Sequence, residues 1–197
     1  PMAGRLMSDQ IYQSGDTVPS AGNRMRVAEP EFAFKMGLNL APRAEPYTLQ
    51  EVMAAVGTLH PAIEVPDSRF APFTEAGEAQ LLADNACARH FVLGSAAPAD
   101  WLTLNLSTFA VQARVEQGSH LKFTREGTGA QVLGDPRIAL TWLANQLSGQ
   151  GITLEKGHVV TTGTCMVPLE LAPGDTATAD YGLLGRVSMT FAADPGL

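Results

Sequence analysis

The stretch "LEKGHVVTTGTCMVPLELAPGDTATADYGLLGRVSMTF", residues 154–191, holds no run of helical periodicity. Its apolar segments are short and cut by Gly or Pro, so it is expected to fold as strands joined by tight turns. Strands need partners, and two further segments offer them. Residues 25–37, "MRVAEPEFAFKMG", read as a strand ending at Gly37, and "WLTLNLSTFAVQARVE", residues 101–116, alternates apolar and polar positions most clearly. "AIEVPD" and "RHFVLG" add shorter extended pieces.

Helical signals are fewer. Thr48 with Glu51 three residues on forms a capping box, and Leu49, Val52, Met53, Val56 and Leu59 follow at helical spacing until His60-Pro61. Residues 75–88 are Ala/Glu/Leu-rich and helical. Residues 135–148 are the second well-marked helix, with Asp135 as N-cap, Pro136 at the first position and Gly149 as the stop. Strand and helix do not alternate regularly, which excludes a doubly wound sheet. The expected class is α+β, mostly β, with two or three helices packed outside.

Charge narrows the function. With 13 Lys+Arg against 20 Asp+Glu the net charge is −7, and no basic run occurs, so a nucleic-acid partner is not expected. No apolar stretch approaches a bilayer span. Cys87 and Cys165 have neither disulfide-framework nor zinc spacing and read as buried thiols, which points to the reducing cytoplasm. "PMAGRL" carries no signal-peptide pattern.

The acids in "AEPEFAF" pose the chemical question. Glu29 and Glu31 sit at i and i+2 and would share one face of a strand, where two poorly solvated carboxylates repel. Taken alone, a solvated edge strand explains them as well as a bound cation does, and would tolerate Pro30. Glu64, flanked by Ile63 and Val65, is a second apolar-flanked site, and burying unpaired carboxylates on two separate strands favours their convergence. Three carboxylates without His or Cys suit a hard cation, Mg²⁺ or Mn²⁺, with positions left open for a substrate.

Other candidates are weaker. His60, His90, His120 and His158 show no ligand spacing, Lys122 reads as a surface residue near a hairpin, and "REGTGAQVLGDP" does not match a phosphate loop. "VTTGTC", residues 160–165, is either a plain turn or a loop offering a hydroxyl and backbone N–H groups to a ligand carboxylate.

Taken in order, "EPEFAFKMGLNL", "AIEVPDSRF", "LLADNACARHFVLG", "LGDPRIALTWLANQLSGQGITLEKGHVVTTGT" and "PGDTATADYGLLGRVSMTF" resemble the fumarylacetoacetate hydrolase superfamily, and more closely its hydratase/decarboxylase branch. The likeness runs from about residue 4 over nearly the whole chain. It implies a mixed β-roll sandwich with flanking helices. By the same resemblance Glu29 and Glu31 match an E-x-E metal motif, Glu64 matches the third acidic ligand, and Thr164 and Arg69 are expected substrate contacts.

The implied activity is metal-dependent addition of water to a 2-hydroxy-2,4-dienoate, or its 2-oxo-3-enoate tautomer, in aromatic-compound catabolism. A 4-oxalocrotonate-type decarboxylase, an acylpyruvate C–C hydrolase and a non-catalytic partner subunit are the alternatives, since one metal platform serves all the enzymes. A homo-oligomer is implied, with association with a pathway decarboxylase a further expectation. Residues 1–24 are expected to be the end of a longer N-terminal region, containing a mobile lid-like loop over 14–24, and 25–197 the metal-binding catalytic domain. The branch usually draws a lysine from that region and an acid just before the "GRL" block, where this chain has "PMA". No residue is therefore assigned as acid or base.

Overall fold

Two sheets face each other, and the alternation within their strands decides which side chains lie between them. The computed structural model describes residues 1–193, so the last four residues of the domain expected over 25–197 lie outside the described residues. In chain order the strands are β1 (Ile11–Gln13), β2 (Thr17–Val18), β3 (Val27–Met36), β4 (Val56–Val65), β5 (His90–Leu93) and β6 (Ala110–Gln117). They continue with β7 (His120–Thr128), β8 (Val159–Thr164), β9 (Leu169–Glu170), β10 (Asp175–Asp180) and β11 (Arg186–Phe191). The α-helices are α1 (Leu49–Ala55), α2 (Glu78–Ala83) and α3 (Pro136–Gly149).

One sheet runs β1-β5-β4-β3-β8, with β9 also pairing β3; the other runs β2-β11-β10-β6-β7. Among the described residues only β1 with β5 and β2 with β11 pair in parallel; the other strand pairs are antiparallel. This is the expected α+β, mostly β architecture of two mixed sheets with flanking helices.

Along β3 the alternate residues Ala28, Phe32, Phe34 and Met36 enter the core between the sheets. Phe32 meets Tyr181 edge-on at 5.2 Å between ring centroids, and Phe34 tilts against Trp101 at 6.0 Å. The opposite face of β3 carries Glu29, Glu31, Ala33 and Lys35. The C-terminal stretch folds as four strands and tight turns, as its broken apolar runs require. Asp135 caps α3 by accepting from the Arg137 N–H at 2.9 Å.

Several sequence expectations are corrected. The helix after Thr48 keeps its capping box but ends at Ala55, and Leu49 is 41% exposed rather than buried. Val56–Val65 is instead a ten-residue strand paired along β3, with Leu59, Ile63 and Val65 in the core. Long-range pairing of these strand-favouring residues outweighs helical spacing. His60-Pro61 does not end an element: Pro61 lies opposite Phe32 and its carbonyl accepts from Gly94 N at 2.9 Å, so its missing N–H faces a flank where β5 has already ended.

The alternation over 101–116 is strand only from Ala110; Ala99–Thr103 is a 3₁₀ turn that buries Trp101. The helix expected over 75–88 shrinks to α2 between short 3₁₀ turns, because Asn85, Ala86 and Cys87 adopt positive φ. Within the loop expected over 14–24, Thr17–Val18 adds to the edge of β11, and Asn23 Nδ2 donates to Pro66 O at 2.9 Å.

Candidate metal centre

β3 lies inside its sheet, with β4 on one flank and β8 on the other, so Glu29 and Glu31 do not stand on a wet edge strand. Pro30 is accommodated here because its carbonyl accepts from Cys165 N at 2.9 Å, which turns its missing N–H toward the irregular start of the β8 pairing.

Register then assembles the acids. Glu64 on β4 is the cross-strand partner of Glu29, and Glu31 is the partner of Ala62, two residues before Glu64. All three side chains therefore occupy one face. One oxygen from each of Glu29, Glu31 and Glu64 lies within 4.8 Å of the others. Glu31 is 1% exposed and the other two are half-buried.

A bulge on β8 aims two donors at Glu31. Opposite Glu31–Ala33, strand β8 has two intervening residues, Thr162 and Gly163, where β3 has one. Gly163 adopts φ +98°, with open space where a Cβ would stand, so glycine is needed for conformation rather than for room. Gly163 N donates to Glu31 Oε2 at 2.8 Å, and the Thr161 hydroxyl donates to the same oxygen. Glu31 Oε1 is buried and has no hydrogen-bond partner. From the core side, the fully buried Tyr181 hydroxyl donates to the Glu31 carbonyl at 2.8 Å and lies 3.3 Å from the Ala62 carbonyl.

Electrostatically the site is unbalanced. None of the ion pairs among the described residues includes Glu29, Glu31 or Glu64. Burial, then the charge of Glu31, pushes the Glu29 carboxyl up to about 8. Burial also raises Glu31, against the opposing pull of Thr161 and Gly163. Glu64 is raised well above the ordinary range by burial and by both neighbouring acids. A divalent cation fits this donor set: three converging carboxylates, one of them with a buried, unsatisfied oxygen, and no ion pair to a protein cation among the described residues. The trio can bind a hard metal ion and polarise an oxygen-bearing ligand on it.

The other candidates fall elsewhere. Thr164 is in register with Glu31, but its hydroxyl turns to Met166 O at 2.9 Å. The "VTTGTC" loop does offer a hydroxyl and an N–H to a carboxylate, yet that carboxylate is the protein's own Glu31. Thr161 and Gly163 were thus missed as individual residues although the motif that holds them was visible. Arg69 is exposed and pairs with Asp84. His60 bonds through both ring nitrogens, to Thr58 Oγ1 at 2.8 Å and Gly94 O at 2.9 Å. Lys122 is not a free surface lysine; it pairs with buried Asp175 at 2.5 Å. A cavity of about 620 Å³ opens on the second sheet, lined by Gln112, Glu126 and Asp180, and includes none of the trio.

No family model matches the chain. Over 192 residues it is 31% identical to the 2-keto-4-pentenoate hydratase of Paraburkholderia xenovorans, covering 97% of this chain and 68% of that protein. It is 29% identical to a 4-oxalocrotonate decarboxylase from a Pseudomonas species, covering 95% and 69%. The 4-oxalocrotonate decarboxylase of Pseudomonas putida G7, solved with magnesium and adipate, superposes with a TM-score of 0.81 at 28% identity, over 95% of this chain and 68% of that one. The fold is shared more widely: fumarylacetoacetate hydrolase from Exiguobacterium antarcticum gives a TM-score of 0.64 at 18% identity, over 93% and 63%. The chain belongs to the family of 2-keto-4-pentenoate hydratases and 4-oxalocrotonate decarboxylases, and it shares the fold of fumarylacetoacetate hydrolase.

Proposed function

We propose that this protein is a divalent-metal-dependent hydratase that adds water to a 2-hydroxy-2,4-dienoate, through its 2-oxo-3-enoate tautomer, to give a 4-hydroxy-2-oxo acid. The observation that carries the reading is the convergence of three poorly solvated carboxylates with Glu31 Oε1 left unpartnered. Likeness to proteins named as hydratases supports it, and the neighbour solved with magnesium supports Mg²⁺ as the ion. Mn²⁺ is the alternative ion.

Glu29, Glu31 and Glu64 would hold the metal. Bound there, the ion supplies Lewis acidity to the 2-oxo group, stabilising charge that builds on its oxygen as water adds at C4. Thr161 and Gly163 tie down Glu31 Oε2, which fixes the carboxylate and leaves Oε1 without a protein partner. Tyr181 fixes the backbone beneath it. Thr164, opposite Glu31, and Arg69, five residues after Glu64, are the proposed substrate contacts. The substrate is a small 2-oxo acid, and a homo-oligomer is the expected assembly.

A second reading is a 4-oxalocrotonate-type decarboxylase, favoured by the likeness to proteins of that name and by the 0.81 superposition. The test is to follow loss of ultraviolet absorbance of 2-hydroxydienoates with Mg²⁺, with chelator, and in Glu31→Gln, while assaying CO₂ release from 4-oxalocrotonate. Metal-dependent hydration lost in Glu31→Gln is expected. CO₂ release without hydration would replace the first reading with the second.

A further inference from the structure

The ladder between β4 and β5 continues past the strand ends. Glu64 pairs with Phe91 and Val65 with His90; beyond them Asp67 N donates to Cys87 O at 3.0 Å. The chain leaving Glu64 and the turn entering β5 therefore form one rim beside the trio. The Cys87 thiol is pushed up by burial, against a bond to Ser68, and then by the charges of Asp84, Glu29 and Glu64, so this rim lies close to the acids. Its turn holds Asn85, Ala86 and Cys87 in the left-handed region, at φ +58°, +54° and +62°. Such a run is unfavourable for L-residues, and Arg5 braces it. Arg5 N donates to Asn85 Oδ1 at 2.7 Å, and Asn85 Nδ2 donates to Arg5 O at 2.8 Å.

Asp84, at the start of that turn, ties the two halves of the rim together. Its side chain is 3% exposed. Oδ2 accepts from the Ser68 hydroxyl at 2.7 Å and from Arg69 N at 2.8 Å, and Oδ1 accepts from Arg69 Nε. Arg24 Nη1 donates to Arg69 O at 2.8 Å and steadies the same main chain from the β3 side. The two bonds at Oδ2 already knit the loop. The bond from Oδ1 goes to a side chain that is 76% exposed, where an ion pair contributes little to stability. Its consequence is orientation. Among the described residues nothing bonds to Nη1 or Nη2 of Arg69. Held at Nε, the planar guanidinium keeps its outer Nη1/Nη2 fork, the edge that grips a carboxylate with two parallel bonds.

We propose that Asp84 is a positioning residue, which holds Arg69 by Nε so that its outer fork is presented, already oriented, to a carboxylate of the ligand. This rests on the proposed contact of Arg69 with substrate and adds how that contact is aimed. An arginine fixed beforehand loses less freedom when it binds. The effect belongs to binding, so it falls on KM and leaves kcat alone.

The test uses the whole chain loaded with Mg²⁺ and two readouts: calorimetric binding of 2-oxopentanoate, and kcat and KM on 2-hydroxypenta-2,4-dienoate. In Asp84→Asn the amide oxygen can keep the Ser68 and Arg69 N bonds only by turning its NH₂ toward Nε, donor against donor. The loop stays knit while the side chain is released. Asp84→Asn and Arg69→Met should each weaken 2-oxopentanoate binding roughly 10- to 100-fold, with Mn²⁺ affinity unchanged. The double variant should bind no more weakly than Arg69→Met, because Asp84 acts through Arg69. KM should rise while kcat stays within about threefold. Arg69→Lys, at an exposed position, serves if Asp84→Asn does not fold: an ammonium held by Asp84 has no fork left, so it should bind like Arg69→Met. Wild-type affinity in Asp84→Asn or Arg69→Lys, or losses that add in the double variant, overturns the positioning role and leaves Arg69 as a contact. Unchanged affinity in Arg69→Met overturns the contact and the positioning role with it. The expected binding pattern without turnover of the dienoate keeps the positioning role and overturns the hydratase reading.

Discussion

Glu31 and Asp175 are both buried acids, on facing sheets, and each has one carboxylate oxygen that no hydrogen-bond donor meets. Around Asp175 the fold supplies its own compensation: Lys122 Nζ at 2.5 Å and Ala172 N at 2.7 Å, both on Oδ2. Around Glu31 the donors are neutral, a threonine hydroxyl and a glycine N–H, and the nearest charges are two more carboxylates. A buried charge with a protein cation beside it is a structural device. Three crowded acids without one must either take up protons or meet a cation from outside, because no protein charge offsets their desolvation and repulsion.

The sharpest way to break this contrast is to neutralise each acid in turn. Glu31→Gln should weaken Mn²⁺ binding by more than ~100-fold, beyond the range seen when outer-shell partners are removed, and abolish hydration. Asp175→Asn should leave metal affinity unchanged and lower stability by ~1–3 kcal/mol, since Lys122 is partly exposed and can turn to water. Calorimetry with Mn²⁺ and melting curves separate the two; equal effects on metal binding would erase the distinction.

The second test changes protonation instead of residues. Glu29 has its pKa raised in the folded chain to about 8 from an ordinary 4.5, by burial and then by Glu31. The folded metal-free protein therefore holds a proton that the unfolded chain releases. Stability from this group is fully present below pH 4.5 and is lost as pH rises through about 8. The melting temperature with chelator should fall by ~5–10 °C between pH 5 and 8, and saturating Mg²⁺ should flatten the trend by binding only the native state. Superimposable curves with chelator and with Mg²⁺ would show that the trio is not a cation site.

Next come the donors that aim Glu31. Thr161→Val and Gly163→Ala are each expected to weaken metal binding by ~10–100-fold, and Gly163→Ala should also cost ~1–2 kcal/mol because its φ is +98°. Thr164→Val, whose hydroxyl faces Met166, should raise KM while leaving metal affinity alone. If Thr164 rather than Thr161 controls metal affinity, the geometry drawn for the bulge is wrong. The smallest effect is expected from Tyr181→Phe, which removes one hydroxyl beneath the Glu31 carbonyl: ~1 kcal/mol of stability and a loss of metal affinity below tenfold, read by the same titration.

The sequence carried much of this on its face. Glu29, Glu31 and Glu64 stand out because each is an acid among strand-forming apolar residues, and that conflict is legible without coordinates. The start of α3 was equally legible, since Asp135 caps it through the Arg137 N–H and Pro136 opens it; its end lies beyond the expected stop, because Gly149 stays helical and the left-handed residue that breaks the chain direction is Gly151 at φ +73°. The first half of strand β4 was not: "AIEVPD" reads as extended, but Val56 and Leu59 fit a helix in local spacing, and only pairing with β3 makes Val56–Val65 one continuous strand.

Local composition thus determined which residues conflict with burial, where the capped helices α1 and α3 begin and that strands dominate, because those depend on side-chain chemistry and on neighbours a few positions away. The tertiary structure alone decided that β3 is an interior strand, that Glu64 stands across from Glu29, and that a bulge at Thr162 and Gly163 points its donors at Glu31 instead of at a ligand. Register is the reason. A slip of one residue would turn Glu64 to the opposite face of the sheet, and register is fixed by packing between strands that lie far apart in the chain.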